Sequence, residues 1–304
     1  MISFRYHLVS IVSVFLALAL GVLVGTTVVN QGIVNDLRRR TNDAVKNADT
    51  LRDQIADLKA QVNAANSFQN IVMPMLIKGQ LTGAEVLVMT QQDVSASDVD
   101  GIRRALVDAG ASVVAEIVVT NRMALADDRS RADLAQALGT ADGSDPNQMA
   151  HAAASAVAAR LANGPGLTGA PDLLDSLGSA GFLVRRGGTG SAGIGGDGQA
   201  VVLLSGTTAA PAVDPGLFMA PLAAALVQAG RPVAAAETGT TVAPFVPLLR
   251  DDGSLDGHLV TVDDADEMSG RVALVFGLRD LLATPGKGGD YGVKAGASAV
   301  MPKP

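Results

Sequence analysis

Between Leu8 and Val29 the chain carries no charged side chain, and Leu, Val, Ile and Ala dominate the run. At about 1.5 Å per residue, a helix of that length crosses the roughly 30 Å hydrocarbon core of a bilayer. The start of the chain is therefore suited to lipid, and the rest must fold beside it. A cleavable signal peptide is the competing reading, because the run is N-terminal and follows Arg5. Signal cores span about 7 to 15 residues and end at a small-x-small site, whereas this run is longer and closes on Gly25-Thr26-Thr27-Val28-Val29. An uncleaved signal anchor fits better, with a short tail over 1–7 and a transmembrane helix over 8–29. Arg5 stands on one side of it and Arg38 to Arg40, offset by Asp36, on the other, so charge alone does not orient the span. A very short tail before a long soluble part is the usual layout of an anchor that exports its C-terminal portion. The expectation is a single-pass cell-membrane protein with an extracytoplasmic C-terminal domain.

Within the span Ala17, Gly21 and Gly25 recur every fourth residue, which places small side chains on one helix face where two backbones can approach closely. From Val34 the pattern becomes a heptad. Val34, Thr41, Ala48, Ile55 and Val62 occupy its a positions, and Leu37, Ala44, Leu51, Leu58 and Ala65 its d positions. Five such heptads make a helix of about 50 Å, and β-branched residues at a with Leu at d favour a parallel two-stranded coil. The expected homodimer interface is thus Ala17, Gly21, Gly25, Val34, Leu37, Leu51, Ile55, Leu58 and Val62. The alternative is an amphipathic helix that packs back on its own domain. The coil is expected over 30–70, with the helical pattern ending at Pro74 and a linker over 71–83.

Beyond the linker the pattern alternates. Glu85 to Thr90 reads as a buried strand, Ser97 to Ala109 as an amphipathic helix, and Ser112 to Val119 as a β-branched strand, which together make a βαβ unit. Ala-rich helices are expected over 129–138 and 147–161, with a shorter one over 171–177. A strand over 181–185 precedes a Gly-rich loop at 186–198, expected to be mobile. The βαβ rhythm resumes with strands at 201–205, 233–236 and 258–262 and a helix at 217–229, and Val272 to Phe276 reads as the last strand. The fold class is α/β: a transmembrane helix continuing into a coiled coil, then a Rossmann-like, mostly parallel sheet with helices on both faces over 84–304.

Composition removes several functions. The net charge of −7, with 17 Arg and 6 Lys that form no stripe, does not suit a nucleic-acid partner. No cysteine is present, which excludes disulfides, thiolate metal sites and thiol catalysis. Aromatic residues are 3% of the chain with no Trp, unlike the aromatic girdles of an outer-membrane barrel. Asp263, Asp264 and Asp266 offer oxygen ligands for a hard cation, although aspartates at a strand end more often shape the turn. Met73 and Met75 flank Pro74 and are the one close pair of soft ligands. Ser205-Gly206-Thr207-Thr208 follows a strand at a position where α/β sheets bind ligands, but it has neither the P-loop lysine nor a dinucleotide glycine pattern. His7, His151 and His258 are scattered, and no G-x-S-x-G elbow occurs. No catalytic or cofactor-binding residue is assigned, and the chain is read as non-enzymatic.

Both ends of the chain carry a resemblance. The opening Met1-Ile-Ser-Phe-Arg-Tyr-His and Val14-Phe-Leu-Ala-Leu-Ala-Leu-Gly-Val are similar to the start of the actinobacterial MctB family. Thr261-Val-Asp-Asp-Ala-Asp266, Gly270-Arg271, Leu278-Arg-Asp-Leu281 and Tyr291-Gly292 resemble its C-terminal signature. The family is named for mycobacterial copper transport protein B, and the resemblance implies copper efflux or copper tolerance at the cell envelope. Its corynebacterial members, called SteB, are described as partners of the membrane protein SteA in envelope assembly and daughter-cell separation. By resemblance, copper is the implied metal and a SteA-like envelope protein the implied partner, beside membrane lipid and a second copy of the chain. No copper ligands carry over residue by residue. An oligomer that conducts copper directly is the alternative reading, and the N-terminal helix departs from what an outer-membrane pore would need.

Overall fold

A computed structural model describes residues 4–140, 145–166, 171–187 and 193–303, the side chains of 27–31 excepted. Two compact units meet between Ser67 and Phe68. Helix α1 runs over Phe4–Ile77, and its segment Phe4–Thr26 is long and apolar enough to cross a membrane, by length and composition. Hydroxyls within it are absorbed locally: Ser13 and Thr26 donate to the carbonyls of Val9 and Val22 at 2.8 and 2.9 Å. That back-bonding leaves no unpaired hydroxyl donor at either residue to face hydrocarbon. Farther along, Val34, Leu37, Leu51, Ile55, Leu58 and Val62 are all exposed on this helix.

The second unit is a seven-stranded sheet in the order β3-β2-β1-β4-β5-β6-β7. Its strands are β1 (Glu85–Gln91), β2 (Ser112–Val119), β3 (Leu183–Arg186), β4 (Gln199–Ser205), β5 (Val233–Glu237), β6 (Leu259–Val262) and β7 (Gly289–Tyr291). Every neighbouring pair is parallel except β2 with β3. Parallel strands need helical crossovers, and those crossovers cover both faces, which is why the central strands read as unbroken apolar runs.

Side chains that alternate along each strand divide the core in two. On one face Leu87, Met89, Val201 and Leu203 pack with helices α3 (Asp128–Leu138), α4 (Pro146–Asn163), α5 (Leu173–Ser179) and α6 (Met219–Gln228). The short α7 (Val246–Arg250) closes that face through Val246 and Leu249. On the other face Val86, Val88, Val202 and Leu204 pack with α2 (Ala96–Asp108) and α8 (Met268–Ala283), together with Met73 and Ile77 from the end of α1.

Two expectations need correction. The helical pattern does not stop at Pro74: α1 continues to Ile77, and Met73, Ile77 and Leu81 are buried core residues rather than linker. A mid-helix proline costs about 3 kcal/mol through its lost donor and its clash with the preceding turn, and the burial of these apolar side chains offsets it. The run Val272 to Phe276 is not a strand but the middle of α8, a helix buried almost all round. A short apolar run has no periodicity to separate buried helix from buried strand. The last strand is instead β7, within the Gly-rich tail. Part of the loop expected to be mobile, 188–192, lies outside the described residues. The short α7 is not among the expected elements; for the other expected elements the differences are of one or two residues, as in α2, whose cap is Ser95, accepting from the Ser97 N–H at 3.2 Å.

If the end of α1 belongs to the core, Ile77→Ala should cost about 2–5 kcal/mol by opening a cavity. The exposed Ile71→Ala should stay within about 0.5 kcal/mol. Urea unfolding of the full chain in detergent, followed by circular dichroism, measures both. Equal effects of the two changes would contradict the docking of Ile77.

Candidate functional site

The carboxyl ends of the strands are where an open α/β sheet usually binds ligands, above all at the point where strand order reverses. Here that point lies between β1 and β4, and the chain closes it with its own groups. The Ser205 hydroxyl lies 2.5 Å from the Gln91 side-chain oxygen, while the Gln91 amide donates to the Val213 carbonyl at 2.8 Å. Asp93 accepts from the Ala212 N–H at 2.8 Å, which holds residues 212–213 across the opening. Ser205 and Gln91 are both buried.

A second polar cluster lies at the ends of β5, β6 and β7. Asp263 and Glu237 are completely buried, so each must find compensation inside the protein. Arg250, from the end of α7, donates to Asp263 Oδ2 at 2.7 Å, to the Thr261 hydroxyl at 2.8 Å and to the Tyr291 carbonyl at 2.8 Å. The other oxygen of Asp263 accepts from the backbone N–H groups of Val293 and Lys294 at 2.7 and 3.0 Å. Glu237 accepts from the N–H groups of Phe245 and Val246 at 2.7 and 2.9 Å and pairs with Lys294 Nζ at 2.8 Å. Every charge in this network has its counterpart, so the cluster acts as a clasp on the C-terminal tail.

The adjoining residues are fixed by close packing. A Cβ at Gly270 would collide with the Asp264 carbonyl, and Gly292, at φ +127, presses its backbone against the Asp263 carboxylate. Only glycine fits either place. Arg271 donates to the carbonyls of Ala265 and Asp266 at 3.2 and 2.8 Å, and its guanidinium fills the space where a side chain at Gly101 of α2 would stand. Arg279 reaches Gln80 at 3.0 Å and lies over the Phe276 ring at 4.8 Å, while Leu278 and Leu281 are buried. The four motifs quoted from the C-terminal third, separate in sequence, are thus one packed and hydrogen-bonded unit that joins β6, α8 and β7.

The match extends beyond these motifs. Residues 1–302 fit the family described as "Copper transport outer membrane protein, MctB". The chain belongs to the MctB family. It is 28% identical over 318 residues to the "Copper transporter MctB" proteins of Mycobacterium tuberculosis and Mycobacterium bovis, covering 99% of each chain. The Mycobacterium leprae protein of the same name is 27% identical over 314 residues, with 99% of each chain covered.

In this MctB family member the three aspartates considered for a metal diverge. Asp263 is taken up by Arg250, Asp264 accepts from the Ser269 hydroxyl at 2.9 Å, and Asp266 accepts from the Gly239 N–H at 2.6 Å. Met73 is buried in the core and Met75 is three-quarters exposed, so the two thioethers do not converge. Among the described residues no group of three or more His, Asp or Glu is arranged to hold a metal ion. His151 is exposed on α4 and His258 is exposed before β6. The residues that sequence reasoning missed are Arg250, Glu237 and Lys294. No motif announces them, since their roles arise only when α7, β5 and the tail meet.

Asp264 stands apart because its Oδ1 is buried with no hydrogen-bond partner. Burial raises its pKa above the ordinary value, the neighbouring Asp263 and Asp266 raise it further, and the Ser269 bond opposes them. The folded chain then holds a proton that the unfolded chain has already released. Stability from this group is therefore lost as pH rises from the ordinary carboxylate value through the raised one.

Two outcomes are expected. Arg250→Ala removes a buried cation together with its bonds to Thr261 and the Tyr291 carbonyl and should cost about 3–5 kcal/mol, more than Lys294→Ala, whose side chain is a quarter exposed, so that water can take its place; chemical denaturation at neutral pH ranks them, and the reverse order would refute the clasp. Asp264→Asn should gain on the parent between pH 4 and pH 7, because only the parent suffers from ionisation there. A variant-minus-parent difference in unfolding midpoint that is the same at both pH values would contradict the raised pKa.

Proposed function

We propose that the chain is a membrane-anchored, non-enzymatic protein of the cell envelope that serves copper efflux or tolerance by holding partners in position. The observation that carries this reading is the row Val34, Leu37, Leu51, Ile55, Leu58 and Val62, each between 42% and 59% exposed on one long helix. Apolar residues at a and d positions leave water when a second identical helix supplies the matching knobs and holes. In this reading two copies pair along that seam, and Ala17, Gly21 and Gly25 bring the same two helices together within the bilayer. In the same reading the C-terminal domain stands outside the cytoplasm and binds an envelope protein of the SteA-like kind.

Copper enters through the family, which is described as one of copper transport proteins and whose mycobacterial members are named copper transporters. A positional role agrees with strand ends occupied by the chain's own Gln91, Ser205, Asp263 and Arg250. Direct handling of copper by an oligomer is the second reading, favoured by the names of those relatives.

Because the chain has no cysteine, single introduced thiols report cleanly. Ile55→Cys and Leu58→Cys should each give a covalent dimer with a short bis-maleimide in intact cells. Asp53→Cys, on the opposite face of the heptad, should give little. Ile55→Asp with Leu58→Asp should abolish the dimer and fail to restore copper tolerance to cells lacking the chain. Full restoration by that variant would refute the scaffold, and stoichiometric tight binding of Cu(I) by the purified full chain would favour the second reading.

A further inference from the structure

The two edges of the sheet are finished differently. Beyond β7 the chain returns on itself: Tyr291 bridges Ala299, and the Gly292 and Ser298 N–H groups donate to the Ala299 and Asp290 carbonyls at 3.0 and 2.8 Å. Beyond β3, among the described residues, no strand follows. The Thr120 N–H donates to the Phe182 carbonyl at 3.0 Å, and antiparallel pairing alternates from there. Val184 and Arg186 therefore turn their backbone groups toward β2, while Leu183 and Arg185 turn theirs to the open side.

That open side is also indented. A cleft of about 600 Å³ runs beside β3, with Ile117, Leu174, Leu183 and Ile194 among its walls and Arg185 at its rim. Clefts of about 380 and 450 Å³ flank it, lined in part by Arg103 and Arg186 and by Arg122 and Arg129. Five arginines line the three clefts with the carboxylates Glu116, Asp133 and Asp175, Arg103 having a fourth carboxylate, Asp100, at 2.9 Å, on a chain whose net charge is −7. Arg129 and Arg185 meet their carboxylates only at 3.9 Å, and the Arg129 side chain is 88% exposed.

We propose that the β3 edge is a docking site for an extended acidic segment of a partner protein, which adds as an eighth strand beside Leu183 and Arg185. Main-chain hydrogen bonds to an exposed edge supply affinity, and the side-chain surroundings supply selection. The strand's acidic side chains then turn to the face that Arg185 and Arg129 share, and its alternate apolar side chains to the opposite face, where Val184 and Val107 are exposed. The same arginines discourage pairing with basic strands and with the β3 edge of a second copy, because like charges would meet. This inference rests on the partner-binding part of the proposed function and supplies its surface.

The test uses the full chain in uncharged detergent micelles and a fluorescein-labelled peptide of four Glu-Val repeats, read by anisotropy. The peptide should bind, bind less as salt rises, and weaken about tenfold against Arg129→Glu with Arg185→Glu. The Arg129 side chain stands at the surface and that of Arg185 is a quarter exposed, so an unchanged melting temperature is required of that variant, and Arg129→Glu alone, expected to weaken binding in the same direction, is read beside it. A Lys-Val peptide should fail on the parent, and a Glu-Val peptide N-methylated on its pairing edge should lose binding. Absence of binding, or equal binding by the N-methylated peptide, would overturn the inference. So would displacement by phosphatidylglycerol micelles alone, which would assign the surface to lipid, or self-association abolished by the arginine variant, which would assign it to a second copy. Crosslinking through Ile55 and Leu58 does not involve β3, so the scaffold and this docking site fail separately.

Discussion

A carboxylate placed at zero exposure sets the terms for the far half of the domain. Asp263 ends β6 inside the protein, and an isolated ionised group there would cost far more than the few kcal/mol by which domains are stable. Arg250 removes that cost from one side and two backbone N–H groups from the other. In doing so they fix α7, the tail after β7 and the strand itself. Glycine at 292 follows from the same requirement, since any larger residue would push the tail off the carboxylate it must cap. The clasp is specific rather than generous, because breaking one partner costs much more than the assembled pair contributes.

The same logic accounts for the way the strand ends are used. In doubly wound sheets the carboxyl ends gather converging loops and helix N-termini, and ligands settle among them. In this domain Gln91 and Ser205 satisfy each other at the switch point, and Glu237, Asp263 and Lys294 do so farther along. Polar groups that are already matched gain little by taking on a ligand, since each new bond replaces an equivalent one. Matching is incomplete along the exposed apolar row of α1 and at the open edge of β3, the two places where interactions are proposed.

Much of this architecture is legible in the sequence, and the illegible parts have definite causes. Period-two and unbroken apolar runs marked β1, β2, β4, β5 and β6 because a parallel sheet buries both faces. The uncharged start marked the apolar span through length alone. Val272 to Phe276 misled because α8 is buried on almost every side, so its amphipathic signature is erased. Pro74 misled because the cost of a proline is local, whereas the gain from Met73 and Ile77 depends on residues as distant as Leu278 in the same core. The signature residues were visible as motifs, but Arg250 was not. A single arginine at the end of a five-residue helix looks like surface until β6 and the tail are brought to it.

The uneven quality of the proposed coil has a physical reading of its own. Thr41, Ala44 and Ala48 fill three consecutive seam positions with small or polar side chains, and such a stretch contributes little to pairing in free solution. In the proposed dimer, two copies held in one membrane by their first helices would meet at an effective concentration far above that of free chains, and a modest seam would suffice. Surface ion pairs such as Arg40 with Asp36 and Arg52 with Asp49, both at 2.9 Å and largely exposed, add only tenths of a kcal/mol to the helix. The strong positions Leu51, Ile55, Leu58 and Val62 lie at the end nearest the domain. Pairing there would fix the spacing of the two domains, whereas the weak middle would let the membrane-proximal half adjust to the helices below it.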